Sequence, residues 1–252
     1  MAASTYGLGL VMREVLSWSP AGILVGLGGS ATVDCGLGAA RALGFKLYGQ
    51  GGEDLDGKGG DLERLARIEM PAHVRVMGSG SEVTALCDVR NRLVGPDGSA
   101  AIFAPQKGAS PEETARLAAG LERAALIIER DLGVQVRDLR GGGAAGGLGA
   151  GMHAFLNANL IEGASEIMRL TGFQDALEGV DVVVTGEGAF DGGSRNGKVV
   201  SEVTSQCLTL GIPVVVVCGR WEAGARPSNL KVIQSKGVFT ARSLREAGKK
   251  IL

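Results

Sequence analysis

The chain has 252 residues, enough for one large domain or two ordinary ones with a substantial core. Its 26 basic and 27 acidic side chains nearly cancel, and aromatic residues make up only 4% of it. Proteins that bind nucleic acids usually have an excess of basic residues and aromatic side chains that stack on bases. The composition therefore argues against a nucleic-acid partner.

The cysteines and histidines are too few and too scattered to suggest a metal site. The four cysteines show no CxxC spacing and lie among apolar or small residues, which predicts buried free thiols in a reducing compartment. No apolar run approaches the ~18 residues that a membrane helix needs, and no signal segment opens the chain. We therefore expect a cytoplasmic protein without a membrane partner.

Glycine is the most unusual part of the composition. The 42 glycines are more than twice the usual share of about 7%, and they alternate with apolar runs and Ala-rich segments. Because this alternation is not periodic, it fits neither collagen nor simple disorder. Short strands joined to helices by tight glycine turns are typical of an α/β protein.

Apolar spacing and glycine punctuation predict the elements of the amino-terminal half. In chain order they are a helix at 7–18, a buried strand at 21–27, a helix between Ser30 and Gly44, and strands at 45–49 and 83–89. Ser30 is expected to cap its helix, because a serine oxygen can accept from the first free backbone N–H groups.

The clearest helix of the chain is predicted between Ser110 and Gly133. Ser110 can cap it, Pro111 fits its first turn, Glu113 completes a capping box, and Gly133 ends it. The elements predicted after it are a helix in the second half of 141–160, a strand at 180–188, a helix at 197–211, a strand at 212–219 and a basic amphipathic helix at 243–252. Residues 180–219 thus form a strand–helix–strand unit with a ligand-suited turn after its first strand.

The stretch "GLGGSATVDCGLG", residues 26–38, is the first candidate site. Gly28 and Gly29 would let the backbone approach an anion, and amides at the start of the Ser30 helix would point at it. Asp34 could hold a magnesium ion or accept a hydroxyl proton. The stretch is neither a Walker A motif nor a complete GxGxxG fingerprint. A plain tight turn remains the alternative.

Two further candidates follow in "CDVRN" and "FAPQKGAS". Asp88 lies near the carboxyl end of a predicted strand, where open α/β sheets carry their functional side chains, or else it caps the following loop. Lys107 lies between a proline-fixed turn and a glycine, so its ammonium could meet a phosphate. A solvated surface lysine is the alternative.

The stretch "TGEGAFDGGSRNGK", residues 185–198, is the fourth and most informative candidate. Glu187 and Asp191 are expected on a loop at the strand end, where two acids can hold Mg²⁺. Ser194 and Lys198 precede the next helix and can hold phosphate oxygens. A surface loop with capping residues is the alternative.

These four stretches, with "GGGAAGGLGAG" between the last two, resemble the glycerate kinase family in order and spacing over residues 5–219. The resemblance implies ATP-dependent phosphorylation of glycerate. It also implies a two-domain α/β architecture with the active site in a cleft. Residues 1–177 would form a mixed α/β domain, and 178–252 would form part of a flavodoxin-like, parallel-sheet domain.

The resemblance also implies a set of site residues, an ATP and Mg²⁺ requirement, and glycerate as the small-molecule substrate. The catalytic residues would be Asp191, Asp88 and Lys198. The nucleotide- and substrate-binding residues would be Gly28, Gly29, Ser30, Asp34, Asn91, Gln106, Lys107 and Ser194. Glu187 and Asp191 would hold the metal. We expect Asp191 or Asp88 to orient or deprotonate the glycerate hydroxyl, while Lys107 and Lys198 neutralise developing charge.

The chain departs from the family pattern, which motivates an alternative from another class. Ala189 stands where the family usually has arginine, and the amino-terminal strands of the family precede the first residue of this chain. The alternative is a non-catalytic fragment that binds nucleotide or a small organic acid, or that only self-associates through an exposed sheet edge. A Rossmann-type dehydrogenase is disfavoured, because the dinucleotide fingerprint is incomplete.

Overall fold

The computed structural model describes residues 1–70, 72, 80–190, 198–221, 230–234, 245–246 and 248–249. The chain divides into two compact units, Met1–Gly163 and Ala164–Leu252. Both are mixtures of helices and parallel strands, so the predicted α/β class is confirmed. The domain boundary placed after Leu177 stays a prediction.

The helices and strands occur in an order close to the one that the sequence predicts. The first unit contains α1 (Tyr6–Ser17), β1 (Gly22–Gly26), α2 (Leu37–Ala42), β2 (Lys46–Gly49), β3 (Leu65–Glu69), β4 (Glu82–Leu86), α3 (Ser99–Phe103), α4 (Pro111–Leu132), α5 (Ala144–Leu156) and β5 (Asn159–Ile161). Then follow α6 (Gly163–Leu170), β6 (Val183–Phe190), α7 (Lys198–Thr209), β7 (Val214–Trp221) and β8 (Leu230–Gln234). Short 3₁₀ turns occur at Gly59–Asp61, Pro105–Lys107 and Asp175–Leu177.

The first unit is built on a parallel sheet in the order β1-β4-β5, beside an antiparallel β2-β3 pair. Ile23 and Val83 are in register on one face, and both belong to a single apolar cluster with residues of α1, α4 and α5. On the other face Leu24 is 48% exposed. The prediction of a buried first strand is therefore wrong for this face, because β1 lies at the edge of the sheet that the described residues form and has only one covered face.

The second unit carries the all-parallel sheet β6-β7-β8. Helix α7 links β6 to β7, which confirms the predicted strand–helix–strand unit. Val214 and Val216 of β7 are fully buried against Val200 and Cys207 of α7. Strand β7 and helix α7 therefore each contribute to this unit's core. Most of the predicted carboxyl-terminal helix lies outside the described residues.

Helix α4 confirms its predicted boundaries in detail. The Ser110 side chain accepts from the Glu113 backbone N–H at 3.2 Å, and the Glu113 carboxylate accepts from the Ser110 N–H at 3.0 Å. Gly133 follows the last turn with φ of 72°, a left-handed conformation that glycine adopts without strain. All these contacts are local in sequence, which is why spacing alone predicts them.

Replacing Ser110 by alanine is expected to lower the free energy of unfolding by about 1 kcal/mol, because it removes one half of the capping box. Urea unfolding followed by circular dichroism measures this change. Ser17→Ala is the matched control, since Ser17 lies at the other end of its helix and its hydroxyl only donates to the Glu14 carbonyl. Equal effects of the two changes would contradict a capping role.

Two predicted boundaries are wrong. Ser30 caps no helix, because α2 begins at Leu37 after Gly36, which has φ of 72°. Residues 27–36 therefore form an extended loop with turns, and the anion site predicted at a helix start beside Ser30 has no helix behind it. Strand β6 continues through Phe190, so Glu187 lies within a strand and not on a loop.

The amino terminus of α5 is the tightest junction in the first unit. Ala145, Gly146 and Gly147 all have positive φ, at 52°, 75° and 86°. The Cys35 N–H donates to the Gly146 carbonyl at 3.2 Å, and a Cβ on Gly146 would collide with the Thr32 carbonyl oxygen. This contact holds segment 32–36 against α5.

Among the described residues, none of the helices combines the length and the apolar character that crossing a membrane would require. Self-association through a sheet edge stays a prediction.

Candidate functional site

The glycine-rich loop that follows β1 presents bare backbone to solvent. Gly28 and Gly29 are exposed, and a Cβ built on either would meet no atom within 4 Å. Gly29 has φ of 60°, in the left-handed region. The opposite holds farther along the same stretch, where a Cβ built on Gly38 would collide with the Ser4 hydroxyl and the Tyr6 backbone nitrogen. The first glycines therefore leave room for a ligand, whereas the later ones serve close packing.

Lys107 connects the first and third candidate stretches. Its ammonium donates to the Ser30 hydroxyl oxygen at 2.9 Å and to the Thr32 carbonyl at 2.7 Å. A lysine ammonium has three N–H groups, so these two bonds leave one that can face a ligand. The 3₁₀ turn at Pro105–Lys107 and the left-handed Gly108 fix the backbone from which the side chain reaches the loop.

Partial burial lowers the pKa of the Lys107 ammonium. Desolvation lowers the pKa of its ammonium below the ordinary value of 10.5, while the negative charge of Asp34 opposes that effect. Lys107 is therefore neither a solvated surface lysine, which was the alternative, nor a fully buried one. It is a half-buried cation fixed at the glycine loop.

Asp34 is completely buried, and its carboxylate accepts hydrogen bonds from two segments of the chain. One oxygen accepts from the Thr5 N–H at 2.6 Å and from the Thr5 hydroxyl at 2.8 Å. The other accepts from the Gly36 N–H at 3.2 Å. Desolvation raises the pKa of Asp34, although these donors lower it in part. The carboxylate thus joins the start of α1 to the turn before α2.

Asp88 lies two residues beyond β4, at the carboxyl end of the sheet, as the sequence predicts. One carboxylate oxygen accepts from the N–H of Gly163, the first residue of α6, at 3.0 Å. Asp88 therefore anchors the start of a helix that is distant in sequence. The alternative prediction was that Asp88 caps the loop after its strand. Here Asp88 instead binds the first backbone N–H of helix α6.

Asn91 and Gln106 differ in how firmly they are held. The Asn91 side-chain amide donates to the Asp97 backbone carbonyl at 2.9 Å, and the Asn91 backbone carbonyl accepts from the Gly143 N–H at 3.0 Å. Asn91 therefore stabilises the loop between β4 and α3. Gln106 is exposed beside Lys107, on the same 3₁₀ turn. Its role in ligand binding stays a prediction.

Part of the acidic stretch lies in the second unit and part lies outside the described residues. Glu187 is half-buried in β6, opposite Cys218 of β7 and near the carboxyl end of its strand. Asp191 and Ser194 lie outside the described residues, and so does the side chain of Lys198, the first residue of α7. Within the described ranges, His, Cys, Asp and Glu residues form no group of three that could hold a metal ion.

Residues whose partners are distant in the chain give no signal of their role in the sequence. Thr5 orients Asp34, and the Thr32 carbonyl fixes Lys107. A cavity of about 310 Å³ also opens beside the end of β4, with Arg90 and Arg140 on its wall. A single arginine in a loop carries no sequence signal, because only the folded sheet brings the two together.

A model of the glycerate kinase family matches residues 1–247. A glycerate kinase of Halalkalibacterium halodurans is 40% identical over 86% of this chain and 57% of its own length. The glycerate 2-kinase of Escherichia coli K12 is 33% identical over 94% of this chain and 61% of its own. The fold is also that of a crystal structure assigned as glycerate kinase 2 from Salmonella typhimurium LT2, with a TM-score of 0.78 and 35% identity over 99% of this chain and 66% of that one.

The chain belongs to the glycerate kinase family, whose model matches almost all of it. The family resemblance predicted from the sequence motifs is therefore confirmed. The chain spans about three fifths of the length of the relatives it matches.

Proposed function

We propose that this chain takes part in the ATP-dependent phosphorylation of glycerate. It belongs to a family of kinases, and relatives named glycerate kinase and glycerate 2-kinase share 40% and 33% of its residues over the matched regions. Phosphoryl transfer needs a cradle for nucleotide phosphates, an oriented acceptor hydroxyl, and cations that offset the charge on the transferred group. The chain offers a candidate for each.

The observation that carries the proposal is the Lys107 ammonium at the open glycine loop. It is held by Ser30 and Thr32, with one N–H left for a ligand oxygen. Gly28 and Gly29 add backbone that a phosphate can approach closely. Preorganised cations and amides of this kind stabilise charge that develops in a transition state.

The acidic stretch fits a magnesium ion by its chemistry. Mg²⁺ in kinases usually takes one or two carboxylates, with phosphate oxygens and waters completing its shell. We assign this role to Glu187 and Asp191, and phosphate contacts to Ser194 and Lys198. Glu187 lies toward the carboxyl end of β6, the end at which open parallel sheets bind ligands. The ion, when bound, offsets the negative charge of the nucleotide phosphates.

We assign the orientation or deprotonation of the glycerate hydroxyl to Asp191. The other candidate, Asp88, already accepts a backbone N–H of α6 and so has a structural task at the sheet end. Asp191→Asn and Asp88→Asn separate the two in a turnover assay. An Asp191→Asn chain that turns over as fast as the parent would remove Asp191 from this role.

The experiment that tests the proposed function measures ADP release from Mg-ATP by the purified chain, with and without D-glycerate. Glycerate-dependent release is the expected result. Circular dichroism must first show that the chain is folded. A folded chain that releases no ADP, alone or with glycerate, would favour the non-catalytic fragment that only binds nucleotide or a small acid.

Replacing Gly28 by alanine is expected to raise the KM for ATP about tenfold without changing the unfolding temperature. The new methyl group meets no protein atom, so the fold tolerates it, but it occupies the space through which a phosphate would approach the backbone. Steady-state kinetics and thermal unfolding measure the two effects. Gly80→Ala is the control, since Gly80 also has open space but lies outside the loop. An unchanged KM in Gly28→Ala would exclude the loop as a phosphate cradle.

A further inference from the structure

Two arginines meet one glutamate beside a cavity in the first unit. The cavity has a volume of about 310 Å³ and lies at the carboxyl ends of β4 and β5. Arg90 donates to a Glu162 carboxylate oxygen at 2.6 Å, and an Arg140 nitrogen lies 3.5 Å from the same oxygen. Cys87, Val89, Leu160 and Ile161 complete the lining. The lining therefore combines four apolar residues with Arg90, Arg140 and Glu162, and these three charged residues are called the rim below.

The two arginines have one carboxylate oxygen in common. Both contact the same oxygen of Glu162, at 2.6 Å from Arg90 and 3.5 Å from Arg140. Arginine presents several N–H groups in a planar fork that matches a carboxylate in a bidentate manner. One shared oxygen uses only part of this capacity, so the rim can take a further monoanion.

We propose that this cavity is the subsite for the carboxylate of the acceptor acid, with Arg90 and Arg140 as its binding residues. This inference rests on the proposed function for the identity of the acid, glycerate. Glu162 is an internal carboxylate that occupies the rim until the ligand displaces it. The volume lies at the small end of ligand cavities, about 300 Å³ and upward, and suits a short acid better than a nucleotide.

The position of the cavity supports the assignment. Asp88, which lies between the lining residues Cys87 and Val89, and Gly163, which follows Glu162, are joined by a hydrogen bond. This hydrogen bond therefore joins the chain after β4 to the start of α6, next to the rim. A carboxylate bound there would place the rest of a three-carbon acid beside the sheet edge at which parallel α/β sheets carry their chemistry.

The test measures binding of D-glycerate to the intact chain by ligand-observed NMR at low salt, without ATP. Glycerol, inorganic phosphate and ATP are the comparison probes. Arg90→Gln and Arg140→Gln are each expected to weaken glycerate binding about tenfold to hundredfold, as the loss of a charge-assisted hydrogen bond does. Glu162→Gln is expected to tighten it about twofold to fivefold, because the competing carboxylate is gone.

Arg92→Gln is the matched control. Arg92 lies two residues from Arg90 and forms an exposed ion pair with Asp138, but it does not line the cavity. The Arg92→Gln chain should bind glycerate with the same affinity as the parent chain. Glycerol, which lacks the carboxylate, should not bind.

Opposite effects of Arg90→Gln and Glu162→Gln on affinity support the subsite, whereas a plain surface ion-pair network would change unfolding alone. Unchanged glycerate binding in Arg90→Gln and Arg140→Gln overturns the assignment, and so does phosphate or ATP binding that depends on these arginines while glycerate binding does not. Because binding is measured without turnover, a chain inactive in the ADP assay can still satisfy this test. If the parent chain is active and both arginine variants keep its KM for glycerate, the subsite is contradicted and the proposed function is not.

Discussion

Replacing Lys107 by methionine is expected to lower kcat for glycerate-dependent ADP release by about 10²- to 10³-fold, the usual cost of losing one preorganised donor to developing charge. Methionine keeps the length and the apolar stem but removes the ammonium. The Ser30 hydroxyl and the Thr32 carbonyl lose their donor, so a part of the effect comes from a looser loop. Steady-state kinetics measures the change, and thermal unfolding confirms that the variant is folded.

Lys46→Met is the control for Lys107→Met, since Lys46 is an exposed lysine paired with Glu69 on the β2-β3 pair. It should leave kcat unchanged. The pH profile adds a second readout. Because desolvation lowers the pKa of Lys107 below 10.5, activity should begin to fall at a lower pH than an ordinary lysine would give. Lys107→Arg should move that fall to higher pH, and identical profiles would contradict a role for the Lys107 charge.

Replacing Asp34 by alanine is expected to lower the free energy of unfolding by about 3–5 kcal/mol. The change leaves the Thr5 and Gly36 N–H groups and the Thr5 hydroxyl without their buried acceptor, and each such group costs about 1–3 kcal/mol. Chemical denaturation measures the loss. Asp56→Ala is the control, since Asp56 is an exposed acid and its removal should change stability too little to detect. Similar effects of the two would contradict a structural role for Asp34.

Asp34 should also leave a mark on the pH dependence of stability. Its folded-state pKa is raised above 3.8 by desolvation, so the folded chain holds this proton more tightly than the unfolded chain does. The contribution of Asp34 to stability is therefore largest below pH 3.8 and declines as the pH rises to its folded pKa. Asp34→Ala should remove this slope, and the difference from the parent should shrink across that window.

Features whose partners are near in sequence could be predicted well. The Ser110 capping box, the end of α4 at Gly133 and the β6–α7–β7 unit all depend on spacings of a few residues or on one crossover. Four motifs in order were enough to identify the family. Asp88 was expected at a strand end for the same reason, because the end of an apolar run is visible in the sequence.

Features that depend on distant contacts could not be predicted. Serine before an alanine-rich run is a common helix start, yet the chain between Ser30 and Gly36 is extended by its contacts with Lys107 and α5. The burial of Asp34 likewise has no signal in the sequence, because the Thr5 hydroxyl and N–H that its carboxylate accepts from lie 29 residues earlier in the chain. The pairing of Arg90 and Arg140 with Glu162 likewise needs the folded sheet.

The contacts that fix the glycine loop also determine when this loop can fold. Its hydrogen bonds to Lys107 join residues that are 77 and 75 positions apart. The Cys35 N–H donates to the carbonyl of Gly146, which is also far along the chain. Closing such long loops costs entropy that local pairing does not. During synthesis, the α1 helix and the β2-β3 pair can form early, but residues 26–36 reach their final shape only after residue 147 has left the ribosome. The segment that would bind phosphate thus becomes ordered only well after it has itself been translated.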